Sequence, residues 1–152
     1  MLSVVIAASD DAAALARLLT ALVRGVAEEL VGDVVVRNAA GAAREVADDA
    51  GATLCDSAGL AEAVRLARGD WVAGLPLTAI LAGEWIQALA AHMERKPPAP
   101  ARLAAVGGWS LRRGPEGWLA PRSALSALAT EQDFQRLTRA GGVRRLRILA
   151  RD

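Results

Sequence analysis

Short apolar runs with β-branched centres alternate along the chain with stretches whose apolar positions recur every three to four residues, the two periods that mark strand and helix. Residues 2–8 form the first run, and Ser9-Asp10 behind it are good helix caps, so a buried strand feeds a helix. In that helix Leu15, Leu18, Leu19, Leu22, Val23 and Val26 make one apolar stripe that is expected to face the sheet. Val34-Val35-Val36 is a second strand, residues 42–50 a helix stopped by Gly51, and residues 52–55 a brief third strand. Asp56 or Ser57 caps a helix that carries Leu60, Ala63, Val64 and Ala67 on one face and ends at Gly69. Residues 71–75 make the fourth strand, and residues 83–93 a helix with Trp85, Ile86, Leu89 and Met93 in register. Four strand–helix alternations predict an α/β fold, a three-layer α/β/α sandwich on a mainly parallel sheet.

The pattern breaks at Lys96-Pro97-Pro98-Ala99-Pro100, where proline fixes φ and removes backbone donors. About fifty residues follow, too few for a confident second core, so the expectation is one domain over residues 1–152, with a stiff connection at 96–102 between a first half (1–95) and a reduced second half (103–152). Residues 103–111 and Trp118-Leu119 flank Gly114-Pro115-Glu116-Gly117, a turn signal that predicts a hairpin. Pro121 is expected to start a short helix and Thr130 another that ends at Gly141-Gly142. Residues 143–149 read as an edge strand with Leu146 and Ile148 inward and Arg145 and Arg147 outward.

Composition narrows the function classes. No apolar run reaches the roughly 20 residues a membrane helix needs, and the first residues lack the basic stretch and cleavage site of a secretory signal. A cytoplasmic protein is expected, or one at the inner face of the membrane, and the single cysteine, Cys55, agrees with a reducing compartment. Net charge is +1, which gives no global attraction to nucleic acid. The charge is uneven, though: residues 1–100 sum to −5 and residues 101–152 to +6, through ten arginines in the tail. That tail reads either as a solvated arginine face or as a surface for an anionic partner. His92, with no second His or Cys in register, is expected on a polar helix face. Cys55 is expected to be buried and inert, and Trp71, Trp85, Trp109 and Trp118 to pack, with Trp109 or Trp118 open to stacking on a sugar or base.

The order of the pieces resembles the family-two glycosyltransferases, whose nucleotide-sugar half is a GT-A domain. Residues 2–8 with Ser9-Asp10-Asp11 resemble that family's opening strand and its Asn-Glu pair, and Val34-Val35-Val36-Arg37-Asn38 stands where the family has a strand ending in two aspartates. Residues 44–52 are similar to the segment before its third strand, and Ala67-Arg68-Gly69-Asp70-Trp71-Val72 to the Ala-x-Gly-Asp-aromatic approach to its fourth. Residues 117–122 and 130–146 resemble its second-half strand and acidic helix start more loosely. The resemblance implies a nucleotide-sugar cleft at Ala8, Ser9, Asp10, Arg37, Asn38, Pro76 and Thr78, and a catalytic base at Asp133.

The departures from the family alter that chemistry. Its Asp-x-Asp metal motif falls on Pro76-Leu77-Thr78, which supplies one neutral hydroxyl where a hard cation requires anionic oxygens. No divalent metal and no other cofactor are therefore expected. Arg37 replaces an aspartate that accepts hydrogen bonds from the base, and a guanidinium only donates. It can pair with a diphosphate or with Asp10 or Asp11 across the strand ends. Asp133 also stands where Thr130-Glu131-Gln132-Asp133 would form a capping box, so a structural role competes with the catalytic one. The expected function is a glycosyltransferase-like protein that has lost metal-dependent transfer and binds a nucleotide-sugar, another anionic ligand or a protein partner. The alternatives are a small metal-independent glycosyltransferase and a basic-tailed binder of anionic membrane or RNA.

Overall fold

The computed structural model describes residues 1–57, 59–106, 116–125, 136 and 143–150. In chain order the elements are β1 (Leu2–Ala7), α1 (Ala12–Ala27), β2 (Val31–Arg37), α2 (Gly41–Asp49), β3 (Thr53–Cys55), α3 (Leu60–Leu66) and β4 (Trp71–Leu75). They continue with α4 (Trp85–Met93), β5 (Ala101–Ala105), β6 (Gly117–Pro121), α5 (Arg122–Leu125) and β7 (Arg144–Leu149). The seven strands form one sheet in the order β3-β2-β1-β4-β6-β5-β7. β1 runs parallel to β2 and β4, β2 to β3, and β5 to β7, while β6 is antiparallel to both its neighbours.

Alternation along the strands divides the core into two layers, because successive side chains leave opposite faces of a sheet. Leu2, Val4 and Ile6 of β1 pack with Leu15, Leu18 and Leu22 of α1, Ala43 and Ala47 of α2, and Trp85, Ile86 and Leu89 of α4. Val5 and Val35 point the other way and meet Leu60, Ala63 and Val64 of α3 and Leu125 of α5. The architecture is the expected mainly parallel α/β/α arrangement.

Two glycines permit close approaches that a side chain would block. A Cβ on Gly69 would lie 2.6 Å from the Met1 carbonyl and 2.7 Å from the Ser3 nitrogen, so the turn before β4 fits against β1 only without one. On Gly74 a Cβ would enter the Trp118 indole at 2.2 Å, so the half-buried ring lies across the bare backbone of β4 and fills the space a side chain would take. This packs Trp118 in the second core layer.

Several local expectations are corrected. Val23 and Val26 are 62% and 52% exposed, since α1 presents Leu15, Leu18 and Leu22 to the sheet and a full helical turn cannot bury every apolar flank. Asp11, not Ser9 or Asp10, caps α1, its side chain accepting from the Ala14 amide at 2.9 Å. Gly59 occupies the N-cap of α3, with the Ser57 hydroxyl accepting from its amide, and Pro121 closes β6 while Arg122 opens the short α5. His92 is buried, not on a polar face: its Nε2 donates to the Ala99 carbonyl at 2.8 Å and its ring meets Trp71 edge-on. The bond to Ala99 ties α4 to the proline-rich connection, which explains why a lone histidine sits in an apolar layer. The antiparallel pairing of β5 with β6 and the inward Leu146 and Ile148 of β7 are as expected.

The outer edge of β7 is partly covered. The Ala82 amide donates to the Ile148 carbonyl at 2.8 Å and the Ala150 amide to the Ile80 carbonyl at 2.6 Å, while Arg144, Arg145 and Arg147 occupy the rest. A paired segment and charged side chains both discourage strand addition at an open edge. No helix among the described residues is long and apolar enough to cross a membrane.

Candidate functional site

In a parallel sheet with crossover helices, loops gather at the carboxyl ends of the strands, and ligands bind there. β1 leaves the sheet at Ala7, whose register partner on β2 is Arg37, and Arg37 in turn faces Cys55 on β3. The Ala8 amide donates to the Arg37 carbonyl at 2.9 Å, the Asn38 amide to the Cys55 carbonyl at 3.0 Å, and the Ala40 amide to the Ser9 carbonyl at 3.1 Å. These bonds carry the strand ladder one residue past each strand, and they bring Ala8, Ser9, Arg37 and Asn38 together. Asn38 turns the chain out of β2 with φ of 58°, a left-handed conformation that Asn tolerates better than most residues. Pro76 belongs to the same edge, following Leu75, the register partner of Ile6.

Arg37, at the end of β2, is half-buried. Asp10 is exposed in the loop after β1, whereas Asp11 is engaged as the cap of α1. Asp56, next along the edge, is held by Arg44 of α2 in a short ion pair that raises the Arg44 pKa above its ordinary value, through the hydrogen bond first and the charge second. Cys55 is buried, and its thiol donates to the Ser57 carbonyl at 3.6 Å.

Beyond Leu75 the chain is built as a packed strap. The Ala79 amide closes a turn onto the Pro76 carbonyl at 2.9 Å, and Leu77, Ala79 and Leu81 pack against the first core layer. Thr78 alone is exposed among Leu77, Thr78 and Ala79. The donor set at this place does not fit a divalent cation: a half-buried aliphatic side chain packed against the core, a proline and one neutral hydroxyl supply no anionic oxygen. Among the described residues no three His, Cys, Asp or Glu side chains gather into a cluster. Asp133, Thr130 and Trp109 lie outside the described residues.

A polar cluster that the sequence did not suggest lies at the opposite, amino end of the same strands. Asp33 of β2 is buried, accepts a short bond from the Ser3 hydroxyl and accepts from the Arg68 amide at 3.3 Å. Ser3 also accepts from the Gly69 amide at 2.7 Å. The signal was present as a lone aspartate inside an apolar strand pattern, yet only the pairing of β1 with β2 reveals its partners. The network fastens the α3–β4 turn to the sheet and faces away from the candidate cleft.

Comparison with known proteins gives the fold its wider setting. No family model matches the chain, and no curated protein sequence does. Among solved structures it is similar to glucosyl-3-phosphoglycerate synthase from Mycobacterium tuberculosis in complex with Mn2+, UDP and glucosyl-3-phosphoglycerate, with a TM-score of 0.71 and 16% identity over 99% of this chain and 70% of that one. In the complex of that enzyme with Mn2+, UDP and phosphoglyceric acid the TM-score is 0.64 at 16% identity, over 84% of this chain and 58% of the other. Mannosyl-3-phosphoglycerate synthase from Rubrobacter xylanophilus aligns with a TM-score of 0.58 and 14% identity, over 81% of this chain and 54% of its own. The chain thus aligns with between 54% and 70% of the length of these enzymes. At such identity the likeness establishes the architecture, and the chain has the fold of the GT-A glycosyltransferases.

Proposed function

We propose that the chain is a glycosyltransferase-like domain without metal-dependent sugar transfer, acting as a binding or partner module. The observation that carries this reading is the strap after β4: the half-buried Leu77 packs against the core, and Pro76 and Thr78 offer no carboxylate where sugar diphosphates are held through a metal in the resembling family. Without that metal a sugar diphosphate would rest on Arg37. One charge-assisted pair supplies about 1.5–3 kcal/mol, whereas millimolar affinity requires roughly 4 kcal/mol. The ligand of such a module is anionic or a protein, nucleic acid is not expected at this net charge, and the free, buried Cys55 suits a reducing cytoplasm.

Titration calorimetry with UDP-glucose, with and without Mn2+, tests the proposal. The expected result is no binding tighter than about millimolar in either condition, and no sugar transfer. A Mn2+-dependent micromolar site would overturn it. The second reading is a small metal-independent transferase, favoured by the half-buried Arg37 at the mouth of the cleft. It requires micromolar binding lost in Arg37→Ala and turnover lost in Asp133→Asn.

A further inference from the structure

The second face of the sheet changes character across its width. Over β1, β2 and β4 it is covered by α3 and α5, through Leu60, Ala63, Val64 and Leu125. Toward β5 and β7 it carries arginines instead. Leu103 and Leu146 point into the first core layer, so alternation turns Arg102 and Ala104 of β5 and Arg145 and Arg147 of β7 to the second face. Val106 continues the ladder, its amide donating to the Leu149 carbonyl at 2.6 Å, and alternation turns it the same way. Leu81 bridges Leu149 of the first layer, which sets Ile80 on the side of the arginines. Arg145 and Arg147 are exposed, and Ile80 and Val106 are 41% and 46% exposed. Val106 stands two residues and one strand from Arg147, about 8 Å between Cα positions.

The charges at this edge are unbalanced. Arg102 and Arg145 are register partners bridged by Glu116, which makes a short ion pair with Arg102 and accepts from Arg145 Nη2 on Oε1 at 3.2 Å. Both carboxylate oxygens are thereby engaged. Arg147 joins no ion pair among the described residues, so three guanidiniums share one carboxylate. The opposite edge of the sheet has the reverse sign: Glu45, Asp48 and Asp49 of α2 and Asp56 after β3 stand against Arg44. Six strand spacings, about 29 Å, separate the two edges, and the resulting dipole turns β7 toward a negative surface.

We infer that the outer face of β5 and β7 docks on an anionic lipid membrane, with Arg145 and Arg147 on headgroup phosphates and Ile80 and Val106 in the headgroup–acyl boundary. That boundary receives aliphatic side chains without a shaped pocket, and its phosphates accept from guanidiniums. A protein partner would instead be anchored by a side chain in a desolvated pocket, whereas this face presents aliphatic tips and arginines on a sheet. The contact is peripheral and salt-dependent, and it does not depend on what the cleft at the carboxyl ends of the strands binds.

Cosedimentation with vesicles of phosphatidylglycerol and phosphatidylcholine tests this, with pure phosphatidylcholine vesicles as the neutral arm and thermal melting of each variant to report folding. The wild-type chain should bind the anionic vesicles at least about tenfold more tightly than the neutral ones, and be released as salt rises to about 1 M. Arg147→Gln should weaken binding about fivefold and Arg147→Glu more than about tenfold. Ile80→Ser and Val106→Ser, which remove apolar surface without adding charge, should each weaken it about fivefold. All four change exposed side chains and should leave the melting temperature unaltered. Arg17→Gln, on α1 at the other face of the sheet, should alter binding less than about twofold. Failure to bind anionic vesicles overturns the inference, as does equal binding to neutral ones or binding untouched by Arg147→Glu. So does a loss in Arg17→Gln as large as in Arg147→Gln, the mark of net charge alone, or full binding by both serine variants. Capture of polyaspartate through Arg147 without binding to vesicles would assign the surface to an acidic protein and overturn it too.

Discussion

The two ends of the parallel strands use polar residues in opposite ways. At the amino end Asp33 and Ser3 are buried among three strands and a turn, and they hydrogen-bond to one another and to the Arg68 and Gly69 amides. At the carboxyl end backbone bonds position Ala8, Ser9, Arg37 and Asn38, while side chains such as Asp10 and Asn38 remain exposed. The first arrangement spends its polar groups on holding the sheet together. The second uses backbone groups for geometry and leaves these side chains exposed.

That contrast is sharpest in the cost of mutation. Asp33→Ala strips acceptors from a buried cluster and leaves the Ser3 hydroxyl without the oxygen it donates to, while the Arg68 amide keeps the Ser3 Oγ at 3.1 Å. It should lower stability by about 2–4 kcal/mol in chemical denaturation. Asp33→Asn, which keeps one acceptor, should cost less than half as much, and equal losses would mean that the space and not the bonding matters. Gly69→Ala should follow at about 1–3 kcal/mol, because the added Cβ meets backbone atoms of Met1 and Ser3 that cannot swing aside.

The carboxyl end should prove more tolerant. Asn38→Ala forces a residue with no polar side chain into the left-handed region and should cost about 1 kcal/mol, while Asn38→Gly should be neutral or nearly so. Arg44→Ala breaks an ion pair whose members are both largely solvent-exposed, and its effect on unfolding should stay near the limit of measurement. A large loss at either position would show that the carboxyl edge is built for stability after all.

The smallest effect concerns pH. On α3 the hydrogen bond from Arg65, ahead of its charge, holds the Glu62 carboxyl below the ordinary carboxylate range. A depressed folded-state pKa stabilises above the unfolded pKa, and that contribution is lost as pH falls through the folded one. Side-chain NMR titration should therefore find Glu62 ionised to lower pH than an unpaired glutamate, and Arg65→Ala should return it to the ordinary range.

Periodicity alone determined the first half of the molecule: the strand runs, the stripe of Leu15, Leu18 and Leu22, and the left-handed Gly51 after α2 all follow from local rules that act within one element. Order and spacing were enough to suggest the GT-A resemblance, and the strands' sequence placed Ala8, Arg37, Asn38 and Pro76 at one edge before any coordinates. Tertiary structure decided what depends on partners far apart in the chain. Asp33 lay outside the strand that the sequence marks at residues 34–36 until β1 lay beside β2, and His92 read as a polar-face residue until Ala99 came within reach of its ring. Gly69 read as a helix terminator, whereas its lack of a side chain is required by the closeness of β1. Val23 and Val26 fitted the helical period as well as Leu22 does, but which apolar positions a helix buries is set by where the sheet and its neighbouring helices stand. A period records that a face is apolar; only packing decides how wide a part of it leaves water.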